Sequence, residues 1–232
     1  FAYTVDQLRE AAPYGDSLFL SAGDNVGASL FASSIQKDVP TIDLLNALGL
    51  DASAVGNHEF DRGWKDLDER LQDLFDAPLL AANVYEEGTE TTVLPPYAIV
   101  GAAGLNVAVI GAVTQETPTL VNPANVAGLT FGDPVAAVNR EVANLKALPE
   151  EERPDIIVAE FHEGKSDVKE GETLEEALAE SGPNGIFTRI VTEVDPAVAA
   201  IFQGHTHQEY TWSGPIHPGY SRVLAPWVRA GN

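Results

Sequence analysis

The order of apolar and polar runs along these 232 residues predicts an α/β fold with mixed, partly α+β-like sheets. Three observations carry that expectation. From Asp16 onward, short β-prone apolar runs alternate with amphipathic helical patterns. The stretch PPYAIVGAAGLNVAVIG (95–111) reads as two strands joined by a short Ala/Gly turn, an antiparallel pair inside an otherwise alternating pattern. Residues that start and stop helices stand where the alternation needs them.

The elements follow in chain order. Phe1, Val5 and Leu8 fall at helical spacing with no capping residue before them, so the start reads as the middle of a helix and predicts further sequence upstream. SLFLSAG (17–23) reads as a buried strand, TIDLLNALG (41–49) as a helix closed by Gly49, and AVG (54–56) as the next strand. GWKDLDERLQDLF (63–75) has the pattern of a helix, and LLAANV (79–84) and LNVAVIGAV (105–113) that of strands. Asp133 before Pro134 is an N-cap followed by proline at the first helical position, which opens a helix over 134–148. DIIVAEF (155–161) and AIFQG (200–204) complete the strands. Between them, 163–185 is polar and acidic around one short helical core, LEEALAE, and reads as a solvated surface excursion.

Charge narrows the function classes. Thirty-five acidic and 13 basic side chains give a net charge of −22, which repels nucleic acid and anionic lipid at long range. No window approaches the roughly 18 apolar residues of a spanning helix, and the first residues lack a basic segment followed by an apolar one. With no cysteine there is neither a disulfide framework nor a thiolate metal site, so a metal must rest on His, Asp, Glu and Asn. The absence of any methionine points to a processed or trimmed segment.

Metal-binding side chains recur where the strands end. SAGDN supplies Asp24, VGNHEFD supplies Asn57, His58, Glu59 and Asp61, AEFHEG supplies His162, and FQGHTH supplies His205 and His207. Loops at the carboxyl ends of α/β strands gather at one edge, so these residues can converge. Taken singly, most have plain structural readings: Asp24 is a turn or cap residue, and His162 a hydrogen-bonded strand-end histidine. His205 and His207, two apart, face opposite sides of a strand and serve one site only from a loop, which Gly204 permits. Taken together, in four strand ends, they read as a centre for two divalent ions about 3.5–4 Å apart. Imidazole with hard oxygen ligands suits Zn, Mn, Fe, Co or Ni better than Ca.

GD, GNHEFD, a His-Glu-Gly after an apolar strand, and GHTH, in that order, resemble the calcineurin-like metallophosphoesterase superfamily. Within it, GNHEFDRG and the closing VLAPWVRAGN are most similar to the catalytic domain of the 5′-nucleotidase / UDP-sugar hydrolase / 2′,3′-cyclic phosphodiesterase family. The resemblance implies a four-layer αββα sandwich over residues 1–232 with the metal centre at one edge. It implies a domain that lacks its first strand here and a C-terminal substrate-binding domain outside this chain. It makes Asp24 the carboxylate bridging both ions, puts Asn57, His162 and His205 on one ion, and gives His207 to the other. The remaining ligands of that second ion belong to an Asp-x-His motif on the first strand, which this chain does not show. It makes His58, paired with Asp61, a catalytic group and not a ligand: the carboxylate orients the imidazole and favours its proton-donating form. Glu59 then supports the loop, and His217 in GPIHPGY is a surface histidine.

The implied activity is hydrolysis of nucleotide phosphate esters, with cyclic phosphodiesters or UDP-sugars as alternatives on the same site. The implied location is extracellular, periplasmic or cell-wall associated. Two other classes stand beside it. A non-catalytic metal-binding domain draws support from the absent Asp-x-His. A dinucleotide-binding oxidoreductase draws little, because no G-x-G-x-x-G follows the first strand.

Overall fold

The computed structural model describes residues 1–12, 16–217 and 220–224, and side chains as far as Ser213. In chain order, α1 (Ala2–Glu10) precedes β1 (Leu20–Ser21), α2 (Phe31–Ser34), α3 (Val39–Ala47) and β2 (Ala52–Ala54). The short helices α4 (Trp64–Asp66) and α5 (Gln72–Leu74) flank a π turn (Leu67–Leu71) and lead into β3 (Leu79–Leu80), β4 (Val84–Glu86), β5 (Tyr97–Ala102) and β6 (Leu105–Val113). The second half carries α6 (Thr117–Leu120), β7 (Leu129–Phe131), α7 (Pro134–Ala147), β8 (Ile156–His162), α8 (Leu174–Ser181), α9 (Ile186–Glu193), β9 (Val198–Gln203), β10 (Trp212–His217) and β11 (Tyr220–Leu224).

β1, β2 and β3 form a parallel sheet in that order. A six-stranded mixed sheet runs β10-β11-β9-β8-β6-β5, parallel in its middle and antiparallel at the β5–β6 and β10–β11 pairs. β4 and β7 make a small antiparallel pair. The two-residue side-chain period of β6 builds the layers. Ala108, Ile110 and Ala112 turn to α7 and α9, where they pack with Val138, Val142, Phe187 and Ile190. Val107 and Val109 turn the other way, onto Ala52 and Leu80 of the small sheet. At Gly111 the two sheets touch: a Cβ there would stand 2.6 Å from Leu80 Cβ and 3.1 Å from Ala54 Cα, so only glycine fits. Beyond the small sheet, α3 and the 64–74 helix bury Ile42, Leu45, Leu67 and Leu71. The result is helix, sheet, sheet, helix, the expected sandwich.

Local chemistry explains the element ends. Gly49 (φ 63) closes α3 as Gly49 N–H donates to Asn46 O and Leu50 N–H to Leu45 O, a Schellman arrangement. Asp133 caps α7 through Val135 and Ala136 N–H, with Pro134 at the first turn. The excursion over 163–185 holds α8, opened by a Thr173/Glu176 capping box.

Three expectations change. The run 79–84 is not one strand: the Asn83 amide donates to Val113 O and Gly132 O and accepts from Val113 N–H, taking over backbone partners a ladder would supply. Helix 63–75 contains the π turn. The 182–197 region, which showed no clear signal, forms α9, with Phe187, Ile190 and Val191 buried. The side chains of His217 and of VLAPWVRAGN (223–232) lie outside those described.

Candidate metal centre

Four strand ends converge. Asp24 follows β1, Asn57 follows β2, His162 is the last residue of β8, and His205 follows β9. Close backbone approach makes this possible: a Cβ on Gly23 (φ +96) would stand 2.5 Å from Gly56 N, and one on Gly56 2.6 Å from His162 Cε1. Asp24 itself holds φ 59, a conformation that disfavours most side chains and is fixed here by its bonds.

The Asp24 carboxylate has one oxygen on each side. Oδ1 accepts His58 N–H at 2.9 Å, and Oδ2 lies 3.0 Å from His162 Nε2. His162 Nδ1 is 2.7 Å from Ala22 O, and because a carbonyl only accepts, that nitrogen carries the hydrogen. Nε2 is left to face Asp24 Oδ2 and, at 3.2 Å, Asn57 Oδ1. His205, in the left-handed region (φ 72), brings its ring to 5.0 Å from that of His162. Ligating atoms of Asp24, His162 and His205 lie within 4.8 Å of one another. Burial, then the neighbouring His162, pushes the His205 pKa down to about 4, so it presents a neutral imidazole.

Burial disfavours charge on Asp24 and on His162, but their mutual hydrogen bond and attraction outweigh it: the Asp24 pKa is lowered and the His162 pKa raised. Asp24 Oδ2, Asn57 Oδ1 and the lone pair of His162 Nε2 all point acceptors at one spot. A divalent cation satisfies that donor set directly, and the residues present therefore fit one.

Glu59 is buried and accepts N–H from Asp24 (2.9 Å), Gly56 (2.5 Å) and Asn25 (2.7 Å), so it ties the two loops together and takes no place among the converging ligand atoms. His58 Nδ1 lies 2.8 Å from Asp61 Oδ2, which also accepts Ala28 N–H at 3.1 Å. Among the described residues His58 Nε2 has no hydrogen-bond partner in the chain, so it is the nitrogen open to a substrate. His207 (φ 56) is exposed and lies outside the Asp24–His162–His205 trio.

Three contributors were not foreseen. Ala22 O selects the His162 tautomer, and only the strand end SAGD hinted at a backbone group there. Glu160, two residues before His162 on the same face of β8, is buried, with Oε2 accepting Ala54 N–H at 2.9 Å and Oε1 without a hydrogen-bond partner among the described residues. The polar letter inside VAEFH was its signal. Asn125 is a third, its side-chain amide donating to Asp61 O at 2.7 Å.

Comparison with known proteins identifies the family and the fold. A family model for calcineurin-like phosphoesterases matches residues 1–209. Protein UshA of Yersinia enterocolitica is 32% identical over 231 residues, covering 97% of this chain and 40% of the relative. A 5′-nucleotidase of Vibrio cholerae is 34% identical over 161 residues, 69% of this chain and 28% of its own length. The crystal structure of a 5′-nucleotidase precursor from Thermus thermophilus superposes with a TM-score of 0.69 at 22% identity, covering 97% of this chain and 42% of that one. The chain thus spans less than half the length of each of these three proteins.

Proposed function

The chain belongs to the calcineurin-like phosphoesterase family, and we propose that it hydrolyses phosphate esters of nucleotides at a centre for two divalent ions. The observation that carries this reading is the convergence of Asp24 Oδ2, Asn57 Oδ1 and His162 Nε2 on one spot, with the His58–Asp61 pair beside it. Asp24, Asn57, His162 and His205 would hold one ion, and Asp24 and His207 would contribute to the other. When bound, the ions polarise the phosphoryl group and lower the pKa of a water molecule.

This chain's own groups do the rest. Ala22 O fixes the His162 tautomer, and Glu59 holds the Asp24 loop on the 55–59 loop. Water adds to phosphorus and releases its proton to solvent as the P–O bond to the leaving group breaks, and His58 Nε2 gives its proton to the departing oxygen and regains one from solvent after product leaves. Asp61, on the opposite ring nitrogen, keeps that nitrogen aimed and stabilises the ring while it is charged. A nucleoside 5′-monophosphate is the proposed substrate, with cyclic phosphodiesters and UDP-sugars as alternatives on the same residues. The proposed setting is outside the cytoplasm; among the described residues no helix is long and apolar enough to cross a membrane.

The test is hydrolysis by the purified protein with Mn or Zn. AMP, 2′,3′-cyclic AMP, a UDP-sugar and p-nitrophenyl phosphate are assayed in parallel with single-stranded DNA. Metal-dependent release from AMP supports the reading. Inactivity on every ester in the presence of either metal overturns it.

A further inference from the structure

Asp38 is a buried carboxylate, 1% exposed, that the chemistry above does not use. It stands at the start of α3, where an aspartate ordinarily accepts N–H groups of its own helix, yet it makes no such capping bond. Its carboxylate turns back to the preceding loop. Oδ1 accepts the hydroxyls of Ser29 and, at 2.8 Å, Ser33; Oδ2 accepts Gly27 N–H at 3.3 Å. Both Lys37 (φ 55) and Asp38 (φ 63) hold left-handed backbone, which disfavours side-chain-bearing residues. Arg70 donates to Lys37 O at 3.0 Å and Arg62 to Ser34 O at 3.1 Å, pinning the same turn.

The loop gripped in this way is the one that touches the catalytic pair. Gly27 and Ser29 flank Ala28, whose N–H donates to Asp61 Oδ2, the same oxygen that faces His58 Nδ1. Gly27 (φ +76) lies so near that a Cβ would stand 2.6 Å from Asp61 Oδ2 and 2.9 Å from His58 Cβ. If the residues on both sides of Ala28 shift, Asp61 loses its second donor and the imidazole its fixed partner. We propose that Asp38 is a positioning residue for proton donation by His58: by holding Gly27 and Ser29 it keeps Ala28 N–H on Asp61 Oδ2 and so sets the orientation of the imidazole. Asp38 is withdrawn from its own helix to do this, and its pKa is lowered although burial works against its charge, because the Ser29 and Ser33 hydroxyls and Gly27 N–H favour the ionised form.

The inference rests on the phosphoesterase reading, and its test separates the two. A misplaced acid slows departure of an alkoxide, such as the 5′-oxygen of AMP, far more than departure of nitrophenolate, which leaves without a proton. Asp38→Asn keeps the shape but sets an amide N–H against one of the donors now served. Its kcat for AMP is expected to fall at least about 10-fold, with KM little changed, while p-nitrophenyl phosphate loses less than about 3-fold. Ser29→Ala is expected to show the same selectivity in smaller measure, and it carries the test if Asp38→Asn does not fold. Equal losses on both substrates, or no loss on either, overturn the role of Asp38 while leaving the phosphoesterase reading intact. A wild-type protein inactive on AMP, p-nitrophenyl phosphate, 2′,3′-cyclic AMP and a UDP-sugar alike overturns that reading and this inference with it.

Discussion

Gly56 separates the loop of Asp24 from the ring of His162. A methyl group added there would stand 2.6 Å from His162 Cε1 and 2.7 Å from Asp24 N, and closer still to Asp24 Oδ1, whereas ordinary contact begins at 3.4 Å. Two of the three neighbours are side-chain atoms of proposed ligands, and the third, Asp24 N, is backbone that Glu59 already holds. In Gly56→Ala, therefore, the Asp24 carboxylate and the His162 ring must separate by the better part of an ångström. A misplacement of about 1 Å in a catalytic array costs on the order of 100-fold in rate, and overpacking of this kind costs about 1–3 kcal/mol of stability. The assay is kcat/KM on AMP at saturating Mn, read beside the thermal unfolding midpoint and the metal dissociation constant. Gly101→Ala is the control, because a Cβ at Gly101 meets nothing within 4 Å. If Gly56→Ala matched Gly101→Ala in both activity and metal affinity, the geometry argued for this centre would be refuted.

Three further outcomes follow from the same contacts. His58→Asn is expected to lower kcat by about 10²–10⁴ while the stabilisation conferred by added metal persists; loss of that stabilisation would make His58 a ligand. Mn or Zn at about 100 times its dissociation constant should stabilise the protein by about 2.7 kcal/mol, and His162→Ala should abolish the shift; an unchanged shift removes His162 from the ligand set. Burial holds the Glu160 carboxyl well above its ordinary pKa of 4.5, so the folded protein retains a proton that the unfolded chain has released. Stability from this group is complete below the ordinary value and is lost as pH rises toward the folded-state value. Glu160→Gln, with no proton to lose, should raise the melting midpoint of the metal-free protein near pH 8 and leave it unchanged near pH 4.5, by about 1.4 kcal/mol per pH unit of that interval. Equal midpoints at both pH values would show that Glu160 is ionised in the fold.

The sequence was informative where one residue's chemistry decides its place. Asn57 and His205 stand in GNHE and GHTH, and the apolar runs of β6 and β8 state their burial directly, so the sheet edge could be anticipated from its ends. What stayed hidden depends on contacts between distant segments. Nothing in KDVP says that Asp38 turns away from its own helix, because that choice is made by Ser29 and Gly27 lying within reach. The break in 79–84 has the same origin, since the Asn83 amide finds partners at Val113 and Gly132 that are 30 and 49 residues away. α9 was missed because FTRIVTE mixes β-branched residues with a helical period, and tertiary burial of Phe187 and Ile190 settles the outcome. The different places of His205 and His207 are also set by the fold, since both hold left-handed backbone and the loop turns His205 toward His162 while His207 stays exposed.

The central claim is that one spot, bounded by Asp24 Oδ2, Asn57 Oδ1, His162 Nε2 and His205, holds a divalent ion. Crystals of the protein grown with Mn or Zn and measured at the metal's absorption edge test this directly. The account predicts an anomalous peak within coordination distance, about 2.0–2.2 Å, of those four groups. A protein whose only metal peaks lie elsewhere, with Asp24 and His162 still 3.0 Å apart as a plain ion pair, would contradict it.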